Sequence, residues 1–211
     1  MSQNHEKSPQ HCAKKGLSID KRYKKLLYVF FTSLFSILSI VIIIFFLLHP
    51  SKPEFSLKEV DIYQLNLFTN PQLVNSSIQF TLLSNNPNQK VSIYYEKLVV
   101  YASYKKQQIT NSTSLTPFYQ DHEESNLLTA SLVGNGVPVT SSFGYEVVCD
   151  TAGGKIVLNI KVNGQLRWKV CNWVSGKYRF NVNCVAIMPF GPSIPSGPLS
   201  SRQGTRCSTT I

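Results

Sequence analysis

The sequence predicts a mainly β protein, an antiparallel β-sandwich preceded by a single transmembrane helix, and three observations lead there. The run from Leu26 to Leu48, LLYVFFTSLFSILSIVIIIFFLL, holds no charge, no proline and no glycine. After it come about seven short segments that alternate apolar and polar residues or are rich in β-branched and aromatic side chains. Turn signals separate these segments, and one helix at most interrupts them, so a parallel α/β sheet is disfavoured.

Taken in order, residues 1–25 are polar and lack hydrophobic periodicity, which predicts a disordered cytosolic tail with an ordinary reduced thiol at Cys12. The run 26–48 covers a hydrocarbon core of roughly 30 Å at about 1.5 Å per residue. Its polar residues, Thr32, Ser33, Ser36 and Ser39, can hydrogen-bond back onto helix carbonyls. Lys7, Lys14, Lys15, Lys21, Arg22, Lys24 and Lys25 precede it, whereas Lys52 and Lys58 beyond it are offset by Glu54 and Glu59. Basic residues accumulate on the cytoplasmic side, so the expected topology is single-pass with the C-terminal part outside. A cleaved signal peptide is disfavoured, because the apolar run is long and His49-Pro50-Ser51-Lys52-Pro53 offers no small-x-small site.

The net charge of +10 is spread along the chain, with 7 basic and 2 acidic residues up to Leu48 and 14 and 9 after it. Scattered basic residues do not make a nucleic-acid surface; the lipid bilayer is the partner this pattern implies. Cys149, Cys171, Cys184 and Cys207 form an even set in an expected oxidising space, compatible with two disulfides in three connectivities. Asn75-Ser76-Ser77 and Asn111-Ser112-Thr113 are glycosylation sequons on the same side.

Residues 49–58 read as a stalk and 59–188 as the sandwich. Val60-Asp61-Ile62 opens a strand, and Tyr63, Leu65 and Leu67 continue it on the opposite parity, which predicts a bulge. Ile78 to Leu82 alternates and stops at Asn85-Asn86-Pro87-Asn88, where proline and asparagine favour a turn. Val91 to Tyr104, Thr116 to Gln120 and Asn126 to Val133 are further strands. Ser141 could cap a short helix with Phe143, Val147 and Val148 on one face, although a strand is nearly as good. Ile156 to Val162 runs into Asn163-Gly164, the preferred pair for a tight hairpin, and Leu166 to Val170 returns. From Lys177 to Met188 the parity is unbroken, with Tyr178, Phe180, Val182, Cys184, Ala186 and Met188 on the core side. Residues 189–211 form a Pro/Gly/Ser-rich tail.

No catalytic set converges in this pattern. There is no Gly-x-Ser-x-Gly elbow, no Asp-x-Asp pair and no close Cys or His pair for zinc, so no catalytic residue, metal ligand or cofactor site is expected. Asp121, Glu123 and Glu124 read as a solvated charge cluster. Alternation puts Trp168 in the core and leaves Trp173 beyond the strand, available for contact together with the loop Gln120, Asp121, His122 to Glu124.

Several of these segments coincide with one family. Asn86-Pro87-Asn88 with Ile93-Tyr94-Tyr95, Pro117-Phe118-Tyr119-Gln120, Arg167-Trp168-Lys169-Val170, Ser175-Gly176-Lys177-Tyr178 and Asn181-Val182-Asn183-Cys184 resemble the plant NDR/HIN-like proteins, which carry the second-group late-embryogenesis-abundant domain. The resemblance implies a plasma-membrane protein of plant defence and stress, with a fibronectin-III-like sandwich outside the membrane, no catalytic residues, and a membrane or wall-side protein as partner. It also implies a bridge between Cys184 and the late cysteine Cys207. The family commonly has glycine where Cys171 stands, and this departure, with Cys149, suggests a second bridge, Cys149 to Cys171. Two other functions stay open: a sandwich binding a small apolar or wall-derived ligand, and a lumenal enzyme.

Overall fold

The computed structural model describes residues 21–47, 50–69, 72–189 and 199–211. The chain divides into two units between Leu47 and Leu48. The first contains α1 (Lys21–Leu47), 27 residues long and apolar enough to cross a membrane, with a mean hydropathy of 2.5 over its most apolar 18-residue stretch. Thr32 Oγ1 donates to Val29 O at 3.0 Å and Ser39 Oγ to Phe35 O at 2.9 Å, the back-bonding that lets hydroxyls sit in an apolar helix. The helix begins five residues earlier than the apolar run, because Lys21 to Lys25 are good helix formers and continue it. Residues 1–20 of the expected tail, with Cys12, lie outside the described residues, as does Leu48.

The second unit is a sandwich of two antiparallel sheets. Its elements are β1 (Glu54–Thr69), β2 (Gln72–Asn85), β3 (Ser92–Tyr104), β4 (Gln107–Gln108), β5 (Thr113–Leu115), β6 (Phe118–Gln120) and β7 (Ser125–Pro138). There follow α2 (Phe143–Ala152), β8 (Lys155–Val170), β9 (Trp173–Val174), β10 (Tyr178–Pro189), β11 (Leu199–Arg206) and β12 (Ser208–Thr210). One sheet has the order β11-β1-β2-β7. The other has the order β12-β10-β8-β3-β4, with β5 and β6 pairing β3 and β9 pairing β8. Period-two patterning drives this: Val74, Ile78, Phe80 and Leu82 of β2 face Phe180, Val182, Cys184, Ala186 and Met188 of β10 across a shared core, all buried. The change of parity in the first strand is a bulge, since the β1–β2 register shifts between Ile62 and Gln64.

Four expectations are corrected. The stalk is shorter than 49–58, because β1 already begins at Glu54. The tail beyond 188 contributes two strands: β11 joins β1 in one sheet and β12 joins β10 in the other. Its residues 190–198 lie outside the described residues. The ambiguous segment is helix α2, but it starts after Ser142 rather than Ser141, and Val148 is 62% exposed while Phe143 and Val147 are buried.

The fourth correction is that Asn163-Gly164 makes no turn. β8 runs straight through it, pairing Gly164 with Leu98 on one side and Phe180 on the other. Glycine is required there by crowding: a β-carbon would lie 2.5 Å from Lys97 O and 2.6 Å from the Phe180 ring. The crowding arises at a bulge, where the β3–β8 register shifts between Tyr95 and Lys97. The tight turns fall elsewhere. Lys105 and Lys106, at φ 43° and 73°, close the β3–β4 hairpin, and Cys171-Asn172 closes β8–β9.

Candidate functional site

The segments singled out in the sequence meet at one end of the sandwich, where β1 and β3 begin and β2, β6 and β8 finish. Asn86 is wholly buried. Its Nδ2 donates to Val91 O (2.8 Å) and Asp121 O (2.9 Å), while its Oδ1 accepts the main-chain N–H and the side-chain amide of Asn88. Asn88 in turn exchanges two hydrogen bonds with Ser51, at 2.7 and 2.8 Å. A buried amide is stable only with its donors and acceptors satisfied, so this asparagine pair ties the entry of the chain, the β2–β3 turn and the β6–β7 turn together.

Gln120 is the second hub. It was expected at the surface but is wholly buried, donating to Ser84 O and Glu124 O and accepting from Ser84 Oγ and the Tyr95 hydroxyl. Strand β6 puts it there: pairing opposite Ile93 turns its side chain inward, whereas Tyr119, one residue earlier, points out. Burial pushes the Tyr95 hydroxyl well above the usual tyrosine range. Its ring stacks on Phe118 at 4.5 Å and meets Phe180 edge-on at 5.7 Å, so the aromatic half of Pro117-Phe118-Tyr119-Gln120 is divided between core and surface.

The acids of the next turn are structural acceptors. Asp121 Oδ1 takes the Ser92 hydroxyl at 2.7 Å, the His122 main-chain N–H at 2.8 Å and the His122 ring at 2.7 Å. These bonds, the Ser92 one foremost, hold its carboxyl down at about 2. Glu124 accepts from the Asp121 N–H and the Asn126 amide, and Glu123, at φ 54°, donates its N–H to Asn88 O.

At the end of β8, Trp168 is buried on the core side at 5% exposure and its strand end is closed by Ser175. Ser175 Oγ accepts the Trp168 N–H and the Ser175 N–H donates to Trp168 O, both at 2.9 Å. That exchange bends the chain back so that Trp173, on β9, stands 63% exposed. Glu96, the bulge residue, pairs with Arg167 at 2.6 Å and Lys177 at 2.8 Å; the Lys177 bond, then the Arg167 charge, lowers its pKa.

Between these parts lies an open groove of about 460 Å³ lined by Gln89, Lys90, Ser92, Tyr119, His122, Lys169, Val170 and Cys171. The Lys169 ammonium sits 5.2 Å from the Tyr119 ring centre. Of the expected contact residues, His122 lines the groove, Asp121 orients it and Trp173 stands on the neighbouring hairpin. Lys90, Tyr119 and Lys169 were not singled out individually, although Tyr119 and Lys169 sit inside the quoted motifs.

A match to the late embryogenesis abundant protein family covers residues 81–185, the strands that build this end. NDR1/HIN1-like protein 26 of Arabidopsis thaliana is 56% identical over 213 residues, covering 100% of both chains. The chain belongs to the NDR1/HIN1-like family of late embryogenesis abundant proteins. NDR1/HIN1-like protein 1 of the same plant is 38% identical across 85% of this chain and 87% of its own, and NDR1/HIN1-like protein 12 is 36% identical across 72% of each.

In this NDR1/HIN1-like chain Cys184 and Cys207 are disulfide-bonded, with Cα atoms 4.4 Å apart. Cys207 stands where the chain leaves β11 for β12, its N–H donating to Phe55 O at 2.8 Å, so the bond pins the passage from one sheet to the other. The Cys149–Cys171 bridge does not form; both are free and exposed. Cys149 lies on α2 before the start of β8 and Cys171 just beyond its end. A 16-residue strand at about 3.3 Å per residue separates them far beyond the reach of a disulfide. Cys171 has φ 49°, the left-handed geometry that favours glycine, so the turn expected from the family survives with a thiol in the glycine position. The sequons differ too: Asn111 is exposed, whereas Asn75 is half-buried within β2, its Oδ1 accepting the Gly136 N–H at 2.7 Å.

Proposed function

We propose that this chain is a single-pass plasma-membrane protein, cytosolic at its N-terminus and with the sandwich outside, that acts as a non-enzymatic interaction component in plant responses to pathogens and abiotic stress. One observation carries the reading: the family-like motifs are consumed in building one end of the sandwich, and what they leave at its surface is a contact face. Asp121 and His122 form a hydrogen-bonded pair, but the Ser92 hydroxyl donates to the carboxylate rather than to the imidazole. The Cys171 thiol shares the groove and makes no hydrogen bond to His122 among the described residues. A base with an orienting partner and no nucleophile in reach is half of a catalytic set. Trp173, with the cations and Tyr119 beside it, has the composition of a protein-binding surface.

The test is complementation. In plants lacking the protein, Trp173→Ala is expected to lose most of the protection against pathogen growth, and His122→Ala little of it. Full loss with His122→Ala and none with Trp173→Ala favours the enzyme and defeats this reading. Orientation is checked by glycosidase digestion: Asn111→Gln is expected to abolish the mobility shift and Asn75→Gln to leave it, because only Asn111 sits on an exposed connection.

The groove favours one second reading, a small wall-derived ligand held by Tyr119 and the cations around it. A protein recovered with the chain from plant membranes and lost with Trp173→Ala supports the first reading. A glycan recovered instead, and lost with Lys169→Glu, supports the second.

A further inference from the structure

We propose that the outer face of the sheet in which β10, β8 and β3 lie side by side binds an anionic polysaccharide, whose carboxylates meet lysine and arginine and whose hydroxyls meet side-chain amides. Charge separates the two faces of the sandwich. The strands of the sheet β11-β1-β2-β7 carry Lys58, Arg202 and Arg206 against Glu54, Glu59 and Asp61. That set is balanced, and Arg202 pairs with Glu59 and Arg206 with Glu54. Among the described residues, the strands of the other sheet carry Lys97, Lys155, Lys161, Arg167, Lys169 and Arg179 against one acid, Glu96. Glu96 is already held by Arg167 and Lys177. None of these charged side chains is buried, so the excess cations stand on the solvent side and give that face a positive field. Lys97, Lys161 and Arg179 make no ion pair among the described residues.

The register fixes how the groups lie. Gln165 of β8 has Lys97 on one side and Arg179 on the other. Two residues along, Asn163 lies between Val99 and Asn181, and two further, Lys161 lies between Tyr101 and Asn183. Neighbouring strands are about 4.8 Å apart and successive outward residues about 7 Å, so cations and amides intermix over a patch about 10 Å wide and 13 Å long. Asn163, Asn181 and Asn183 are exposed and Gln165 is half-buried. None of these four side-chain amides has a hydrogen-bond partner among the described residues.

These features select the occupant. A small anion needs cations that converge on one point, whereas cations set apart on three strands suit a polymer that repeats its charge. An unpartnered amide offers a donor and an acceptor together, the complement of a hydroxyl. A protein partner requires an aromatic or aliphatic anchor at the centre, and a nucleic acid requires rings there to stack its bases. Here the centre is amide, and the rings stand at the two ends, Tyr94 beside Arg167 and Tyr101 beside Lys161. The patch shares no residue with the groove at the end of the sandwich. It rests on the proposed placement of the sandwich outside the membrane only for where such a polymer is met.

The test is calorimetric titration of the full chain, in phosphatidylcholine nanodiscs, with sodium polygalacturonate. Saturable binding is expected, weakening about tenfold as salt rises from about 50 to about 200 mM. The fully methyl-esterified polymer, which keeps its hydroxyls and loses its charge, should not bind. Lys161→Gln with Arg179→Gln is expected to weaken polygalacturonate about tenfold, whereas Lys58→Gln with Arg202→Gln, the same change of net charge on the opposite face, should leave it within about twofold. Asn163→Ala with Asn181→Ala should weaken polygalacturonate about fivefold and leave polyphosphate, a polyanion without sugar hydroxyls, unchanged. The side chains replaced on the proposed face bond to no other part of the fold among the described residues, so these variants fold. Absence of binding overturns the proposal, as do equal losses from the two charge variants. So does tighter binding of single-stranded RNA, an acidic peptide or phosphatidylserine vesicles than of polygalacturonate. Each of these failures leaves the glycosidase test of orientation and the Trp173→Ala complementation untouched.

Discussion

The two ends of the sandwich are held by different chemistry, and β3 connects them. Where β3 begins, buried amides of Asn86, Asn88 and Gln120 bind three chain segments through main-chain groups. Where it finishes, Tyr104 reaches across to α2: its ring meets Phe143 at 5.3 Å and its hydroxyl donates to Asp150 at 2.6 Å. Lys105 pairs with Asp150 at 3.2 Å and lies 3.8 Å from Glu146. Burial, then the bond to Asp150, lifts the Tyr104 hydroxyl to about 12. The buried amides admit one arrangement, because a single lost partner strands a desolvated dipole. The ion cluster is half in water and can lose members cheaply. The end that carries the candidate contact face is thus the rigid one.

The largest effect that would break this comparison is expected for Asn86→Ala, which strands Val91 O, Asp121 O and the Asn88 amide. We expect a loss of about 4 kcal/mol, read from urea unfolding of the full chain in micelles through Trp168 fluorescence. A loss under about 1 kcal/mol would show that water replaces the amide and that the end is not rigid. Replacing Cys184 and Cys207 together by alanine should cost about 3 kcal/mol, since the bridge closes a 23-residue separation. Reduction of the wild type should reproduce the same midpoint.

At the opposite end the effects are smaller. Tyr104→Phe is expected to cost about 1 kcal/mol, and Lys105→Ala under about 0.5 kcal/mol with a dependence on salt. Equal losses at both ends would erase the contrast. Cys171→Gly should stabilise by about 1 kcal/mol, because glycine adopts the left-handed turn without strain. The smallest expected effect is that of acid. The Asp121 carboxyl lies at about 2, below the ordinary 3.8, so its contribution is present above 3.8 and lost as pH falls through about 2. Carboxyl NMR of Ser92→Ala should show this titration moved back toward 3.8.

Much of this molecule is legible from residue order alone. An uncharged run of 23 residues can only be a long apolar helix, and the alternation in β2 and β10 assigns each side chain a face because the strand period is two. The change of parity after Ile62 announced its bulge for the same reason. The separation of Trp168 from Trp173 followed from alternation as well. These are local facts, decided by neighbours in the chain.

Tertiary contact decided the rest. Asn163-Gly164 has the composition of a turn, yet the glycine serves a crowded crossing with Phe180 and Lys97 that residue order does not display. Gln120 looks like a surface residue until β6 pairs with β3 and drives it inward to four partners. The pairing of cysteines depends on which ends of long strands meet, so Cys149 and Cys171 stay apart while the sheet crossing at Cys207 meets Cys184. The tail beyond 198 has weak strand propensity and becomes strand because two sheets each offer it an edge. Periodicity is a property of the chain, whereas close approach, burial of a polar group and the joining of distant thiols belong to the packed fold.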